Sequence, residues 1–532
     1  MNTRRTSLIR GGIITVVFAA SIVFTSRKVD ELSANPTVEK DCGPDVAPSA
    51  DHTLQVQAPV AQTLPWAQKG GTINDASCLN RTSVFGIVRV KTEQDIAAAL
   101  SYARKNGLKV SIAGVRHSMG GQAFYRNAVV LDMRDFNQMS LDEAGKVLTV
   151  QTGATWHAIQ RFLHPRFAVK AMQSTDIFTV GGSIAVNAHG MDHQAGAVGR
   201  TVRSMRIMLA DGTVQTLSRT ENPELFNLVL GGYGLFGVVL DAQIEVTDNE
   251  VYETGRQLID YKSFPELFSK ELVNDPKLGL FYGHLSTSPD TLLDEMILYT
   301  YKRVELDPAT GAPEIPPLGE LTNVPLRRFV INFAKTGPLA ARIKWWTEKN
   351  IEPRMESCTV QVSRNQALKE GEACLVSRNE PMHDSVSYLK NSLKGETDIL
   401  QEYFIPRDQF IPFVDGLRTV VRSRDVNLLN ASVRIVHQES NFLNYAPADA
   451  YSIVLYINQI TDEAGAEKMQ AVTRDLIDLT QRVNGRFFLP YQLYYTSEQL
   501  RATYPEVDAF FEAKRKYDPQ ELLTNTWYER YR

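Results

Sequence analysis

The sequence has few cysteines, little net charge and no long basic run after residue 30. Lys and Arg number 57 against 61 Asp and Glu in 532 residues, for a net charge of −4. Proteins that bind nucleic acid concentrate positive charge, so this balance excludes nucleic acid as a partner. Hydrophobic residues make 43% of the chain and charged residues 22%, which is typical of a folded globular protein with more than one core.

The cysteines are Cys42, Cys78, Cys358 and Cys374, and no two of them form a C-x-x-C pair. This spacing argues against a zinc ribbon or a thioredoxin-like redox motif. The closeness of the two members within each half predicts the disulfides Cys42–Cys78 and Cys358–Cys374 in an oxidising compartment. Four unpaired buried thiols are the alternative, because four cysteines permit three connectivities.

An uncharged apolar run lies close to the N-terminus. Three arginines precede residues 11–26, which carry no charge, and Arg27 and Lys28 follow them. As a helix this run would reach ~24 Å, short of the ~30 Å hydrocarbon core of a bilayer. Residues 1–30 are therefore expected to be a signal peptide or an N-terminal membrane anchor, and the two alternatives stay open. Residues 31–79, rich in Pro and Gly, are expected to be a linker.

This N-terminus predicts an exported or membrane-anchored protein, with its catalytic part outside the cytoplasm and in the periplasm if the source is bacterial. The pair Arg4-Arg5 also resembles a twin-arginine export signal. The membrane is expected to be a partner through this N-terminal segment only.

Three glycine-rich segments follow a region in which strands and helices alternate. Residues 114–121 read GVRHSMGG, residues 179–190 read TVGGSIAVNAHG, and residues 231–239 read GGYGLFGVV. Glycine lets backbone N–H groups approach and face a phosphate. The three segments together predict a groove for one large, extended ligand that carries phosphates.

The third segment contains G-x-G-x-x-G at residues 232–237. A dinucleotide-binding fingerprint of this form needs a strand before it and a helix after it. Here the pattern predicts a helix before it and a strand after it, so this fingerprint and a nicotinamide cofactor lose their support.

The order of these loops resembles the FAD-binding domain of the vanillyl-alcohol oxidase and p-cresol methylhydroxylase (PCMH) flavoprotein family. The loop Arg116-His117-Ser118 is most similar to the alditol oxidase and aldonolactone oxidase branch. The resemblance implies an α+β fold, with a two-subdomain FAD-binding domain of PCMH type and an α+β cap (substrate) domain built on an antiparallel sheet. The implied boundaries are 80–248 for the FAD-binding domain, 249–485 for the cap domain, and 486–532 for a C-terminal segment that returns to the FAD-binding domain.

The resemblance implies FAD as the cofactor, with His117 as its covalent attachment point. From the residues alone, the reading that His117 is a histidine that hydrogen-bonds within a turn is favoured over covalent attachment. The other implied FAD contacts are Gly114, Arg116, Ser118, Gly120, Gly121, Ser174, Thr175, Asp176, Gly181, Gly182, Ser183, Asn187, His189, Gly190, Val238 and Val239. No metal is expected: Gly190 interrupts the helix that would bring His189 and His193 to one face.

Alternating runs at 400–406, 430–438 and 451–459 predict a sheet in the cap domain. In the aldonolactone oxidase branch that this chain resembles, the corresponding strand reads like Glu-Val-Arg. This chain has Ser432-Val433-Arg434 there, so the arginine matches and the glutamate does not. The resemblance implies Arg434 as the partner of developing oxyanion charge, and Glu402, on a strand expected to be adjacent, as the substitute for the missing glutamate. Ser118 is the third residue implied at the reaction centre, and His437 and Tyr491 are weaker proton-transfer candidates.

These features predict an FAD-dependent oxidoreductase that oxidises a CH–OH group of an alcohol, polyol or sugar-lactone-like small molecule by hydride transfer to flavin N5. Oxygen, a quinone or a cytochrome would then accept the electrons. An FAD-dependent reductase acting on a double bond and a non-catalytic binding protein that retains the fold are the alternatives.

Overall fold

The computed structural model describes residues 27–34, 64–304, 314–350, 360–363, 372–389 and 393–532. The N-terminal half of the protein contains two main sheets. The strands are β1 (Trp66–Lys69), β2 (Thr72–Ile73), β3 (Thr82–Ser83), β4 (Gly86–Arg89), β5 (Val110–Ala113), β6 (Val129–Asp132), β7 (Met139–Asp142), β8 (Val147–Gln151), β9 (Phe167–Val169), β10 (Val202–Met208), β11 (Val214–Ser218) and β12 (Val238–Asp248). The first sheet has the order β1-β4-β6-β5, with the last three strands parallel. The second has the antiparallel order β11-β10-β12-β8-β7, and β9 pairs with β12.

The cap contains one nine-stranded sheet whose described pairings are antiparallel, in the order β16-β17-β13-β15-β14-β19-β20-β18-β21. Its strands are β13 (Val251–Asp260), β14 (Leu278–Leu285), β15 (Glu295–Arg303), β16 (Val360–Ser363), β17 (Glu372–Ser377), β18 (Glu396–Pro406), β19 (Leu428–Val436), β20 (Ala450–Ile460) and β21 (Arg486–Phe487). The predicted runs 400–406, 430–438 and 451–459 fall on β18, β19 and β20.

Helices cover these sheets and connect their strands. The α-helices are Glu93–Lys105, Trp156–Leu163, Val180–Val186, Val198–Thr201, Pro223–Val229, Phe264–Leu267, Val324–Ala334, Pro338–Asn350, Phe410–Ser423, Glu463–Arg482, Ser497–Thr503, Val507–Tyr517 and Thr526–Tyr531. Thr92 begins the first of these with a capping box. Within the described part of the chain, no helix has the length and apolar character that crossing a bilayer requires.

One apolar core extends from the second sheet into the cap sheet, and includes Trp156, Ile244, Phe281 and Leu455. Because this core is continuous, the cap is held against the first half of the molecule by buried apolar area. A smaller core lies between the first sheet and the helix Glu93–Lys105. The α+β fold class, with an antiparallel cap sheet, is confirmed.

The chain returns to the first sheet near its end. The Val110 N–H donates to the Leu522 carbonyl at 2.8 Å, and the Thr524 N–H donates to the Val110 carbonyl at 2.9 Å. Asn525 also donates its side-chain amide to the Tyr233 carbonyl at 2.9 Å. Residues 522–525 therefore fix both the first sheet and the third glycine-rich segment. The domain boundaries themselves stay a prediction.

Cys78 is disulfide-bonded. The predicted pairings also involve Cys42 and Cys358, which lie outside the described residues, so the connectivity stays a prediction. The predicted leader, residues 1–30, lies outside the described residues up to residue 26.

Candidate functional site

The three glycine-rich segments meet at one cavity of about 920 Å³. Residues of all three form one side of it, and strands β14, β15, β18, β19 and β20 of the cap sheet form the other. The volume lies near the upper end of the range of about 300–1,000 Å³ for small-molecule sites. The shared groove that the sequence pattern predicts is therefore present.

The first segment needs its glycines because neighbouring groups approach closely. A Cβ on Gly114 would lie 2.2 Å from Thr179 Oγ1, and Arg116 adopts a positive φ of 62°. The Gly121 N–H donates to Asp75 Oδ2 at 2.7 Å. Burial raises the pKa of Asp75 even though Ser77, Gly121 and Asn80 hydrogen-bond to it. A buried aspartate thus fastens the end of this segment.

The second and third segments approach the first from two directions. Thr179 begins the helix Val180–Val186, and its hydroxyl accepts a hydrogen bond from the Gly182 N–H. In the third segment, Gly237 has φ of 158°, and a Cβ there would lie 2.5 Å from Ile207. Glycine is needed where backbone must pass this close to other groups.

Many of the sequence-predicted residues line the cavity. They are Gly114, Arg116, His117, Ser118, Gly121, Ser174, Thr175, Gly181, Gly182, His189, Val239, Glu402 and Arg434. The imidazole of His117 makes an edge-to-face contact with Phe178 at 6.0 Å between ring centroids. The first segment and the cap residues thus contribute to one site.

Six of the predicted cofactor contacts do not line the cavity, and their contact with FAD stays a prediction. Two are glycines that pack against backbone. A Cβ on Gly120 would lie 2.3 Å from the Pro490 carbonyl oxygen, and one on Gly190 would lie 1.8 Å from the Met172 carbonyl oxygen. Val238 is buried in the smaller apolar core. Gly120, Gly190 and Val238 therefore pack against other parts of the protein and not against the cavity.

The other three are polar residues with contacts on the side of the chain away from the cavity, namely Ser183, Asn187 and Asp176. Ser183 Oγ donates to Gln173 Oε1 at 2.7 Å and accepts from Trp156 Nε1 at 2.8 Å. Asn187 Oδ1 accepts from the Gly199 N–H at 2.9 Å. Asp176 is buried between two histidines. Ser183 and Asn187 thus have hydrogen-bond partners within the protein, whereas Asp176 Oδ1 is buried without a partner among the described residues.

Asp176 belongs to a buried cluster that sequence reasoning missed. Its Oδ2 lies 2.8 Å from His157 Nδ1 and 3.1 Å from His383 Nδ1. The two imidazoles stack at 4.6 Å, and their Nε2 atoms both lie 3.8 Å from Glu320 Oε1. His157, Asp176 and His383 together form a set that could ligate a metal. The hydrogen-bond distances in this cluster link Asp176, which precedes the second segment, to His383 of the cap.

Glu402 is the acidic centre on the cap side of the cavity. It is 4% exposed, and its Oε1 lies 2.5 Å from His189 Nε2 and accepts from Ser452 Oγ at 2.6 Å. Tyr491 OH donates to Glu402 Oε2 at 3.3 Å. Burial alone would raise the pKa of Glu402, but His189, Ser452 and Arg434 outweigh it and hold the pKa below its ordinary value of 4.5. The group is therefore a carboxylate at neutral pH.

Arg434 and Glu402 face the cavity from the same side of the sheet. Glu402 lies opposite Val454, Val454 lies opposite Ser432, and Ser432 and Arg434 are two residues apart on β19. The expected adjacency was wrong, because β20 lies between β18 and β19. Burial lowers the pKa of Arg434 from its ordinary value, and Glu402 and Tyr491 oppose this effect. The guanidinium still stays charged.

The two weaker proton-transfer candidates, Tyr491 and His437, differ in their position relative to the cavity. Tyr491 lines the cavity, and burial raises its pKa well above its ordinary value, so it is a neutral hydrogen-bond donor. His437 does not line the cavity, and its Nε2 donates to the His193 carbonyl at 2.5 Å. The structure thus places His437 behind the cavity lining, and its proton-transfer role stays a prediction.

The sequence analysis missed the aromatic wall of the cavity. Tyr282 and Tyr299 stack at 4.7 Å, and His284 makes an edge-to-face contact with Trp345 at 5.7 Å. Burial lowers the pKa of His284 to about 4, so it is neutral at neutral pH. The alternation of residues within 278–285 and 295–303 was the available signal, because alternate residues share one sheet face.

Residues 85–218 match the FAD binding domain family, and residues 341–531 match the D-arabinono-1,4-lactone oxidase family. Decaprenylphosphoryl-beta-D-ribose oxidase of Mycolicibacterium smegmatis is 30% identical over 202 residues, which are 37% of this chain and 42% of the relative. Cytokinin dehydrogenase 2 of Arabidopsis thaliana is 29% identical over 164 residues, which are 30% of this chain and 32% of the relative. The chain thus spans less than half the length of these curated relatives.

A solved structure, described as a solvent-stable cholesterol oxidase, is similar with a TM-score of 0.65 at 15% sequence identity. The similarity covers 86% of this chain and 96% of that chain. At this low identity the similarity establishes the fold alone.

Proposed function

Because the chain belongs to the FAD-linked oxidoreductases with a PCMH-type FAD-binding domain, we propose that it oxidises the CH–OH group of a bound alcohol. The observation that carries this proposal is the buried carboxylate of Glu402, which faces the glycine-rich segments together with Arg434. A carboxylate and a guanidinium that line the same cavity suit the removal of a hydroxyl proton.

The residues present fit FAD. Buried polar atoms without a hydrogen-bond partner in the described part of the chain line the cavity together with the glycines, namely Ser174 Oγ, His189 Nδ1 and Arg434 Nε. Buried polar atoms need partners, and a ligand in this cavity would provide them. Gly114, Arg116, Gly181 and Gly182 would hold the phosphate-bearing part of FAD. When bound, FAD supplies the acceptor for the two electrons of the substrate.

The protein's own residues would handle the proton and the charge of the substrate. The proton of the substrate hydroxyl would pass to Glu402. The substrate carbon that bears this hydroxyl would lose a hydride, which carries the two electrons to FAD, and its C–O single bond would become a carbonyl. Arg434 would stabilise the negative charge that develops on the substrate oxygen. His189, Ser452 and Tyr491 hold the carboxylate in place by hydrogen bonds. Ser118, which lines the same cavity, would contact the flavin edge.

We further propose that FAD is attached covalently through His117, that a small molecule of the alcohol, polyol or lactone type is the substrate, and that oxygen, a quinone or a cytochrome reoxidises the enzyme. His117 lines the cavity beside the glycine-rich backbone. The N-terminal run supports an exported or membrane-anchored protein with its catalytic part outside the cytoplasm.

The test is anaerobic reduction of the purified flavoprotein. Polyols, lactones, aryl alcohols and long-chain alcohols are added separately, and loss of the yellow absorbance is followed against NADPH. Bleaching by an alcohol, with release of the matching carbonyl compound, is the expected result. Bleaching by NADPH alone would favour a reductase, and a protein that takes up no FAD would leave only a binding role.

A further inference from the structure

Two helices beside the cavity expose large apolar side chains to solvent. On Val324–Ala334 and Pro338–Asn350, which pack against each other, the exposed fractions are 48% for Leu326, 68% for Leu339, 43% for Ile343 and 56% for Trp346. The last three are spaced by four and three residues and so share one helix face. Single exposed apolar residues are ordinary, whereas a group of this kind indicates a binding surface. We call these four residues the helical patch.

The helical patch lies in a basic stretch of the chain. Residues 324–350 carry six Lys or Arg and one acidic residue, Glu348. Arg328, Lys335 and Lys344 are buried, so the cations at the surface are the other three, of which Arg342 pairs with Asp290 and Lys349 with Glu295. Arg327 and Arg342 are exposed, and Lys349 is half-buried. Apolar and aromatic residues on one face with Lys and Arg around them are typical of helices that lie in the interface of an anionic bilayer.

The described N-terminal segment ends beside the same helices. Asn332 donates its side-chain amide to the Leu32 carbonyl at 2.9 Å, and Arg328 donates to the Ala34 carbonyl at 3.4 Å. Leu32 is buried, whereas Val29 is 43% exposed. The uncharged residues 11–26 join the chain only a few residues before this contact. The chain that directly follows those uncharged residues therefore contacts the first of the two helices that carry the helical patch.

The cavity also reaches these helices. Leu326, Val330 and Ile331 from the first helix and Thr347 from the second line the cavity. Since Leu326 both lines the cavity and is 48% exposed, this is a place where the cavity opens. A bilayer under the helical patch would therefore lie against a residue that also lines the cavity.

We propose that the helical patch docks on the surface of an anionic phospholipid bilayer and that the substrate is an amphiphilic alcohol taken up from that bilayer. The part that concerns the substrate rests on the proposed alcohol oxidation. The docking part rests only on the exposed residues, the basic stretch and the nearby N-terminal segment.

Trp346 makes the docking directly measurable in the full chain. Trp156, Trp345 and Trp527 are buried, and Trp66 is half-buried, so Trp346 is the tryptophan whose emission a bilayer would reach. The full-length protein is mixed with vesicles of phosphatidylcholine and phosphatidylglycerol, with and without brominated acyl chains. We expect a blue shift on binding and loss of emission with the brominated lipid, and we expect both changes to be absent in Trp346→Phe.

The variant Leu339→Glu/Ile343→Glu tests whether the patch itself docks. We expect it to lose the quenching, whereas Val214→Glu, at a residue 45% exposed on β11 of the second sheet, keeps it. Retained FAD absorbance shows that each variant is folded. If vesicles bind the full chain in a flotation assay but Trp346 emission does not change, or if the double variant is quenched like the native protein, the docking proposal is wrong.

The substrate part has its own readout. Rates of anaerobic flavin bleaching are compared for a long-chain alcohol in vesicles and a short soluble alcohol, in native protein and in the double variant. We expect the double variant to be slower only with the vesicle substrate. Docking without oxidation of any alcohol would overturn the proposed function and leave docking in place. Equal rates of both proteins on the vesicle substrate would overturn delivery from the bilayer.

Discussion

Replacing Glu402 by Gln is the sharpest test of the proposed chemistry. The change keeps the size of the side chain and removes its charge. Glutamine can still accept from His189 and Ser452, so we expect the free energy of unfolding to fall by only about 1–3 kcal/mol, the cost of imperfectly satisfied buried groups. FAD absorbance should be retained, because the hydrogen bond between Glu402 and the second glycine-rich segment comes from the His189 side chain, for which glutamine still offers an acceptor.

The rate of flavin reduction should change far more. A positioned general base contributes about 10²–10⁴-fold, which corresponds to roughly 3–5 kcal/mol of activation free energy. The measurement is anaerobic stopped-flow reduction with an alcohol that bleaches the native protein. Ser452→Ala is the matched control, because it removes one hydrogen bond, about 1 kcal/mol, and keeps the carboxylate. We expect this control to slow reduction by less than about tenfold.

The pH dependence gives an independent readout. Because the pKa of Glu402 lies below its ordinary value of 4.5, the native rate should stay constant at neutral pH and fall only when the pH drops below about 4.5. That acidic limb should be absent in the Gln variant. A Gln variant that reduces its flavin within tenfold of the native rate, with the acidic limb unchanged, would refute Glu402 as the base.

Three further outcomes are expected. His117→Ala should leave a colourless pellet after acid precipitation, whereas the native pellet stays yellow; a yellow variant pellet would contradict attachment there. Arg434→Ala should lower kcat/KM by about 10²–10³-fold, with partial recovery in Arg434→Lys; an unchanged kcat/KM would exclude its oxyanion role. For His284, with a pKa lowered to about 4, the unfolded chain binds the proton first as pH falls from about 6.5 to 4, so the free energy of unfolding should drop by roughly 3 kcal/mol over that range. Denaturant titrations should show a smaller drop for His284→Gln, and an identical drop would contradict this assignment.

The convergence of the loops could be predicted because it depends on local signals. The glycines and the change from helix to strand around residues 223–246 are visible in the sequence, and the cap strands show alternation. The direction of each side chain within a loop has no such signal. Ser183 and Asn187 lie in the predicted segment but hydrogen-bond behind it. Spacing alone cannot distinguish the two sides of an irregular segment.

The strand that carries Glu402 was predicted from its alternation, whereas the expectation that it lies beside the strand of Arg434 was wrong. Alternation gives the face of a strand, since side chains repeat every two residues. The order of strands in a sheet depends on pairing between distant segments. β20 follows β18 and β19 in the sequence, yet it lies between them in the sheet. The cluster of His157, Asp176 and His383 escaped prediction for the same reason, because His383 comes from an irregular cap segment far along the chain.

The contacts of residues 522–525 with Val110 and Tyr233 have a consequence for biosynthesis. The third glycine-rich segment is translated long before Asn525, yet its Tyr233 carbonyl depends on that late side chain. Residue 525 must therefore be synthesised before this hydrogen bond to the third segment can form. A chain truncated before that residue would lack the bond, and we expect it to hold FAD less firmly.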